Sequence, residues 1–329
     1  MRAVVITELG GPEVLQVRQV PQPDAGPDEV LVRVKASALN RADLLQREGR
    51  YPAPAGAPAD IPGLELAGEI AALGPGVSRW RLGDRVFGVV GGGGQSEYAV
   101  AHADALAAVP ANLSWEEAAA VPEVFITAHD AMITQAQLRA GENVLIHAVA
   151  SGVGLAAAQL ARAWGARPFG TLRTPSKLDA IGNTYGLVDS FVVADDPEAI
   201  LPWVQDRTDR RGMDVTLDLV GGPYLEASIK AAALKGRIML IGAMAGRSGT
   251  ISIGMVLGKR LTIRGTTLRA RALEEKIAAT EAFARDVVPL LARARVRPTI
   301  DAVFAMTDVA EAHRRMASNV TVGKLVLTW

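Results

Sequence analysis

The residue types best suited to chemistry are concentrated in one turn. The segment VLIHAVASGVG, Val144 to Gly154, reads as a buried strand that ends in a glycine-containing turn and opens the Ala-rich helix Leu155 to Trp164. Ser151, Gly152, Val153 and Gly154 are the candidate binding residues. A side chain at either glycine would keep a pyrophosphate from the backbone N–H groups or push the helix off its sheet. A Gly-x-Gly turn also suits plain tight packing; the order strand, turn, helix, second strand favours a dinucleotide.

The second strand, Arg167 to Thr171, bears on which dinucleotide is bound. An acid at its end would accept hydrogen bonds from a free ribose 2′-OH, and none stands there. Thr171, Arg173 and Lys177 follow instead, hydroxyl and cationic groups that suit a 2′-phosphate and point to NADPH. Solvated loop charges are the alternative reading of Arg173 and Lys177. Gly242, Ala243 and Met244 follow the apolar strand RIMLI, at a carboxyl end of a sheet where ligands of such folds bind; turn and packing roles are their alternative.

These residues need two kinds of scaffold. From Asn143 to about Thr266, uninterrupted apolar runs (NVLIHAV, RPFGTL, MDVTLDLV, RIMLIGAM) alternate with helical stretches, the pattern of a doubly wound α/β domain with a parallel sheet. The first third is instead rich in Pro, Gly and short β-branched runs such as Glu29 to Lys35 and Asp84 to Val90, which predicts a partly open, barrel-like β domain. Ser114 and Glu117 fit a capping box that starts a helix, Pro122 interrupts it, and a boundary follows. The expected division is 1–122, 123–266 and a return segment, 267–329, that rejoins the first domain through amphipathic helix and a final strand, Thr321 to Thr328.

Composition excludes several functions. Lys plus Arg and Asp plus Glu both total 35, so no basic excess favours nucleic acid. The absence of cysteine removes disulfides and thiolate metal sites and fits a cytoplasmic location. The N-terminal segment lacks signal-peptide features, and the uncharged run Asn143 to Ala161 is broken by Asn143, His147, Ser151, Gly152, Gly154 and Gln159, so neither export nor a membrane span is expected. His147 is expected to satisfy backbone groups. His102, His129 and His313 read as ordinary surface or helix residues, and Arg285, Arg293, Arg295 and Arg297 as a solvated face.

Longer motifs carry a family likeness. ALNRADLLQREGRYPAP from Ala38, IPGLELAGEI from Ile61, GDRVFG from Gly83, GGGGQSEYAVA, AAAVPEVFITAH, LIHAVASGVG, TTLRAR from Thr266 and VGKLVL from Val322 span nearly the whole chain. Together they resemble the zinc-free quinone oxidoreductases of the medium-chain dehydrogenase/reductase superfamily, within it the p53-inducible quinone oxidoreductase-like branch. The resemblance implies a GroES-like catalytic domain, a Rossmann domain, a homodimer, and NADPH-dependent two-electron reduction of quinones. Zinc-dependent relatives place Cys where Asn40 stands, His where Leu64 stands, and four further cysteines in a lobe; this chain has none of these, so no metal is expected.

By the same resemblance, Tyr51 lies in the substrate loop, where its phenol would donate to the acceptor oxygen, and Asn40 would orient the acceptor or the nicotinamide ribose while Asp43 fixes the loop. Thr127, at the start of a helix, with Leu268, Arg269 and Lys324, matches positions that contact the cofactor. The chain departs from the family at Val149, where a glycine is usual. It also carries the weak helix formers Gly182 and Asn183 after Lys177, and lacks a tyrosine near Val193 and Ala194. Three functions follow: an NADPH-dependent quinone reductase with its proton from Tyr51 or water, an enoyl-thioester or 2-alkenal reductase working by the same hydride geometry, and a nucleotide-binding or RNA-binding protein with negligible turnover, against which the zero net charge weighs.

Overall fold

The computed structural model describes residues 1–182 and 184–329; Asn183 lies outside the described residues. Contacts divide the chain into two compact units, Met1–Ile126 with Leu268–Trp329 and Thr127–Thr267.

The first unit begins with an antiparallel pair, β1 (Arg2–Ile6) and β2 (Leu15–Gln19). Strands β3 (Glu29–Leu39), β4 (Glu65–Leu73), β5 (Arg85–Val89), β6 (Tyr98–His102) and β7 (Leu106–Ala108) follow. Strand β3 shows why sequence alternation works as a signal: successive side chains leave a strand on opposite faces. Val30, Val32 and Val34 enter one core with Leu66, Ile70, Val86 and Leu106, whereas Leu39 joins a different cluster with Leu44 and Leu327. Beyond β7, Ser114 caps Trp115–Ala119 through the expected reciprocal bonds with Glu117. Pro122 opens a new helix, Pro122–His129, because a ring that lacks an N–H is tolerated in a first turn. The boundary between the compact units falls inside that helix, which a π-helical segment, Asp130–Gln135, continues.

The second unit holds β8 (Asn143–Ile146), β9 (Arg167–Leu172), β10 (Asp189–Val192), β11 (Met213–Asp218), β12 (Ala232–Leu240) and β13 (Thr262–Gly265). They pair in the order β10-β9-β8-β11-β12-β13, every pairing parallel. This is the doubly wound order, with the direction of winding reversing between β8 and β11. Residues of β8 and β11 are buried throughout, as strands covered on both faces must be. Gly182 is not inside a helix: it ends Pro175–Ile181 with φ 45°, a conformation that favours glycine.

The chain then returns to the first unit. Thr267 to Ala272 are not helical; the amphipathic stretch forms Leu273–Asp286 and Val288–Ala292. Strands β14 (Ile300–Ala305) and β15 (Lys324–Thr328) complete a seven-stranded sheet ordered β14-β15-β3-β4-β5-β7, with β6 also paired to β3.

Candidate active site

In the second unit the turn after β8 is built from backbone constraints. Ala148 adopts φ 51°, a left-handed conformation that costs an L-residue about 1 kcal/mol. Val149 is fully buried and its N–H donates to Thr171 O at 3.0 Å. Its side chain occupies space that Gly170 leaves open, since a Cβ at 170 would lie 2.6 Å from Val149 Cγ1. The valine that departs from the family pattern is thus accommodated by a glycine on the neighbouring strand. Gly154 is required for a related reason: its Cβ would lie 2.5 Å from Val149 O, against backbone that cannot yield cheaply.

Helix Gly152–Ala163 starts from this turn. Ser151 caps it, its Oγ accepting from Gly154 N at 3.1 Å, and Leu155 N donates to Ser151 O. The amides of Gly152 and Val153 have no acceptor among the described residues, and the helix dipole adds positive potential at the same point. Donors and field there suit the oxygens of a pyrophosphate. At the end of β9, Arg173 is exposed and Lys177 half-exposed, with no carboxylate between them. Tyr224, on helix Tyr224–Ala231, is close enough to Arg173 for that charge to act on its phenol, although burial dominates and raises the phenol's pKa. These groups fit a 2′-phosphorylated dinucleotide.

Other predicted positions are placed differently. Thr171 is buried, and its hydroxyl bonds His147 Nδ1 at 2.9 Å rather than facing outward. The His147 ring satisfies side chains, not backbone groups: Nε2 meets Ser228 Oγ at 3.0 Å, and burial lowers the imidazole to about 4, outweighing the opposite pull of Asp218. Gly242 donates its N–H to Asp218 O and leads into exposed Ala243 and Met244 at the carboxyl end of β12, so Met244 has no packing role. Thr127 lies in the last turn of helix Pro122–His129, not at its start. His129 and His313 are buried helix residues, whereas the four arginines of the basic run are exposed as expected.

In the first unit, Asn40 and Lys324 belong to one buried cluster. Lys324 Nζ donates to Leu39 O at 2.9 Å, Asn40 Oδ1 at 2.6 Å and Glu65 Oε1 at 2.7 Å, and its side chain is 4% exposed. An ammonium has three protons, so this lysine has none left for a cofactor. Asn40 Nδ2 donates to Glu65 Oε1 and Ala38 O, leaving that amide similarly engaged. Where relatives carry a metal-ligating cysteine, this chain holds a carboxamide fixed by a lysine and a glutamate. Asp43 does fix the loop, accepting from Asn40 N and Gly63 N; burial raises its carboxyl to about 6.

Arg269 is likewise turned inward, at 2% exposure. Its Nε donates to Gly91 O and its Nη2 to Gln46 Oε1, and its guanidinium carbon lies 5.4 Å from the centroid of the Tyr51 ring. A cation under the ring steadies Tyr51. Leu268 is buried beside it, as an apolar residue in this unit's interior. Two polar atoms of this region, Arg269 Nη1 and Glu123 Oε2, are buried without a hydrogen-bond partner among the described residues. Glu65 and Glu123 were not singled out from the sequence; each is an acid within a largely apolar run, IPGLELAG and AAAVPEVF, and that was the available signal.

Comparison with known proteins agrees with this architecture. Residues 26–111 match the model of the alcohol dehydrogenase GroES-like domain, and residues 152–285 that of the zinc-binding dehydrogenases. A quinone oxidoreductase of Pseudomonas aeruginosa is 35% identical over 329 residues, 99% of each chain. The structure of a mycobacterial protein complexed with NADPH superposes with a TM-score of 0.88 at 27% identity, covering 100% of both chains. The CurK enoyl reductase superposes with a TM-score of 0.87 at 28% identity, covering 99% of this chain and 98% of that one. The chain is an oxidoreductase and belongs to the quinone oxidoreductase family of the medium-chain dehydrogenases/reductases.

Proposed function

We propose that this protein is an NADPH-dependent quinone oxidoreductase that works without a metal. The observation that carries the reading is the pair of clusters just described: a helix N-terminus followed by Arg173 and Lys177 in one unit, and Tyr51 stacked on Arg269 in the other. When bound, the dinucleotide supplies a hydride from nicotinamide C4. The chain does the rest. The amides of Gly152 and Val153 hold the pyrophosphate, Arg173 and Lys177 select the 2′-phosphate, and Thr127 with Gly242, Ala243 and Met244 completes the cofactor contacts. The Tyr51 phenol, whose pKa is raised chiefly by burial, stays protonated and donates a hydrogen bond to the acceptor oxygen as negative charge develops there. Asn40 acts by keeping Lys324 and Glu65 in place. The similarity to a quinone oxidoreductase supports the acceptor class.

The reading extends to a cytoplasmic homodimer. Strand β13 forms one edge of the parallel sheet, and Ile253 and Leu257 on the preceding helix are 70% and 71% exposed, an edge and an apolar face that a second copy would cover. Among the described residues no helix is long and apolar enough to cross a membrane.

An acceptor panel tests the reading. Purified protein is expected to oxidise NADPH with ortho- and para-quinones faster than with 2-alkenals or enoyl thioesters. The likeness to an enoyl reductase makes the thioester the competing substrate, and faster turnover with it would replace the quinone reading. Tight NADPH binding with no oxidation by any acceptor would point to a binding protein instead.

A further inference from the structure

The buried cluster of the first unit contains three carboxyl groups, Asp43, Glu65 and Glu123, and two cations, Lys324 and Arg269. Their hydrogen bonds show which carboxyl is left over. Glu65 Oε1 accepts from Lys324 Nζ and Asn40 Nδ2, and its Oε2 accepts from the backbone N–H of Glu123 at 2.8 Å, so this carboxylate is paired on both oxygens. Asp43 accepts a backbone N–H on each oxygen. Glu123 Oε2 has no partner among the described residues, and its own amide holds the Glu65 carboxylate close by. Lys324 has no proton to spare for it, and Arg269 commits Nε and Nη2 to Gly91 and Gln46 while its Nη1 makes no hydrogen bond to Glu123.

Glu123 is therefore the group that must keep a proton. An acid in the first turn of a helix is ordinarily favoured as the anion. Here that preference loses to burial and to the neighbouring Glu65 charge, with Asp43 adding to the repulsion and Lys324 and Arg269 opposing it; the Glu123 carboxyl is pushed up to about 8. A neutral carboxylic acid at pH 7 that can lose its proton only slightly above neutrality is suited to proton donation. Tyr51 is not, because burial raises its phenol further from neutrality.

We infer that Glu123 is the proton donor of the reaction, giving the proton of its carboxyl group to the acceptor oxygen that Tyr51 orients. The inference rests on the proposed quinone reduction. The hydride electron pair forms a C–H bond on the quinone ring and the displaced π pair moves onto a carbonyl oxygen. That oxygen forms an O–H bond as the Glu123 O–H bond breaks. Tautomerisation moves the ring proton to the second oxygen and gives the hydroquinone, and a solvent proton restores Glu123. One hydride and one proton are consumed, as two-electron reduction requires.

The test uses Glu123→Gln, which keeps the shape of the neutral acid, and Glu123→Asp, which keeps an acid one methylene shorter. In protein without nucleotide, infrared difference spectra across a pH titration should show a neutral-carboxyl C=O band that fades near pH 8 and is missing from Glu123→Gln. With NADPH and a quinone accepted by the wild type, Glu123→Gln should lower kcat by about 10²- to 10⁴-fold and abolish its fall above pH 8. Glu123→Asp should retain that limb, and the NADPH dissociation constant should stay unchanged in both variants. Lack of a carboxyl band that Glu123→Gln removes, or wild-type kcat with an unchanged alkaline limb in that variant, would overturn the donor role. A wild type that reduces no quinone would sink the proposed activity and the donor role with it, while the infrared band would still report whether Glu123 holds a proton.

Discussion

The turn at Ser151 to Gly154 leaves backbone amides without an acceptor, whereas the cluster around Lys324 leaves that lysine no proton to donate elsewhere. The turn is assembled from residues close in sequence, and its Gly154 is dictated by backbone packing, as the 2.5 Å approach to Val149 O shows. The cluster joins Leu39, Asn40, Glu65, Glu123 and Lys324, from opposite ends of the chain. A local turn that must remain open to a ligand and a long-range cluster that must close on itself answer to different physics, backbone sterics in one case and charge balance in the other.

Breaking the cluster should have the largest effect. Lys324→Met leaves the Glu65 carboxylate buried without its counter-ion, and denaturant unfolding should show a loss of about 3–5 kcal/mol. Adding Glu65→Gln should recover part of it; equal stability of Lys324→Met and wild type would show that the ion pair does not hold this unit together.

Acid should act next, and mainly through buried histidines. His147, lowered to about 4, and His313, lowered to about 3 by burial and the Arg47 charge, are held neutral in the fold. Their unfolded forms bind a proton near the ordinary value of 6.5, so the stability they contribute is full above pH 6.5 and is lost as pH falls toward the folded values. Melting temperature should drop through that window, and His147→Gln should drop less steeply. Identical slopes would contradict the burial argument.

In the turn, Gly154→Ala should cost about 1–3 kcal/mol of stability and weaken NADPH binding, because the helix that offers its amides must shift. Calorimetric titration checks the second effect; unchanged affinity would mean that the helix position is irrelevant to the nucleotide. The smallest change should come from Ala148→Gly. Glycine relieves the left-handed conformation at φ 51°, and the melting temperature should rise by the equivalent of about 0.5–1 kcal/mol. A fall would show that the alanine methyl makes a contact worth more than the strain.

Legibility in the sequence followed the same division. The parallel sheet was readable because its strands are short apolar runs, and the turn because a serine able to cap a helix and glycines open to close backbone approach stand between such a strand and a helix. The β unit was readable in outline from alternation along Glu29 to Lys35. Roles that depend on distant partners were not. Lys324 looked like a cofactor ligand until Leu39, Asn40 and Glu65 proved to take its protons, and Arg269 proved to spend two of its nitrogens on Gly91 and Gln46. Thr171 looked like a hydroxyl for a 2′-phosphate until His147 proved to bond it. Val149 was a departure whose compensation lies at Gly170, on another strand. In each case the missing information was a pairing between residues far apart in the chain.

The central claim is that the turn, with Arg173 and Lys177, holds a phosphorylated dinucleotide. Fluorescence titration of the wild type and of the Arg173→Ala, Lys177→Ala double variant with NADPH and NADH tests it most directly. The wild type should bind NADPH more tightly, and the double variant should lose most of that preference with little change for NADH. Equal affinities for the two nucleotides in the wild type would contradict it.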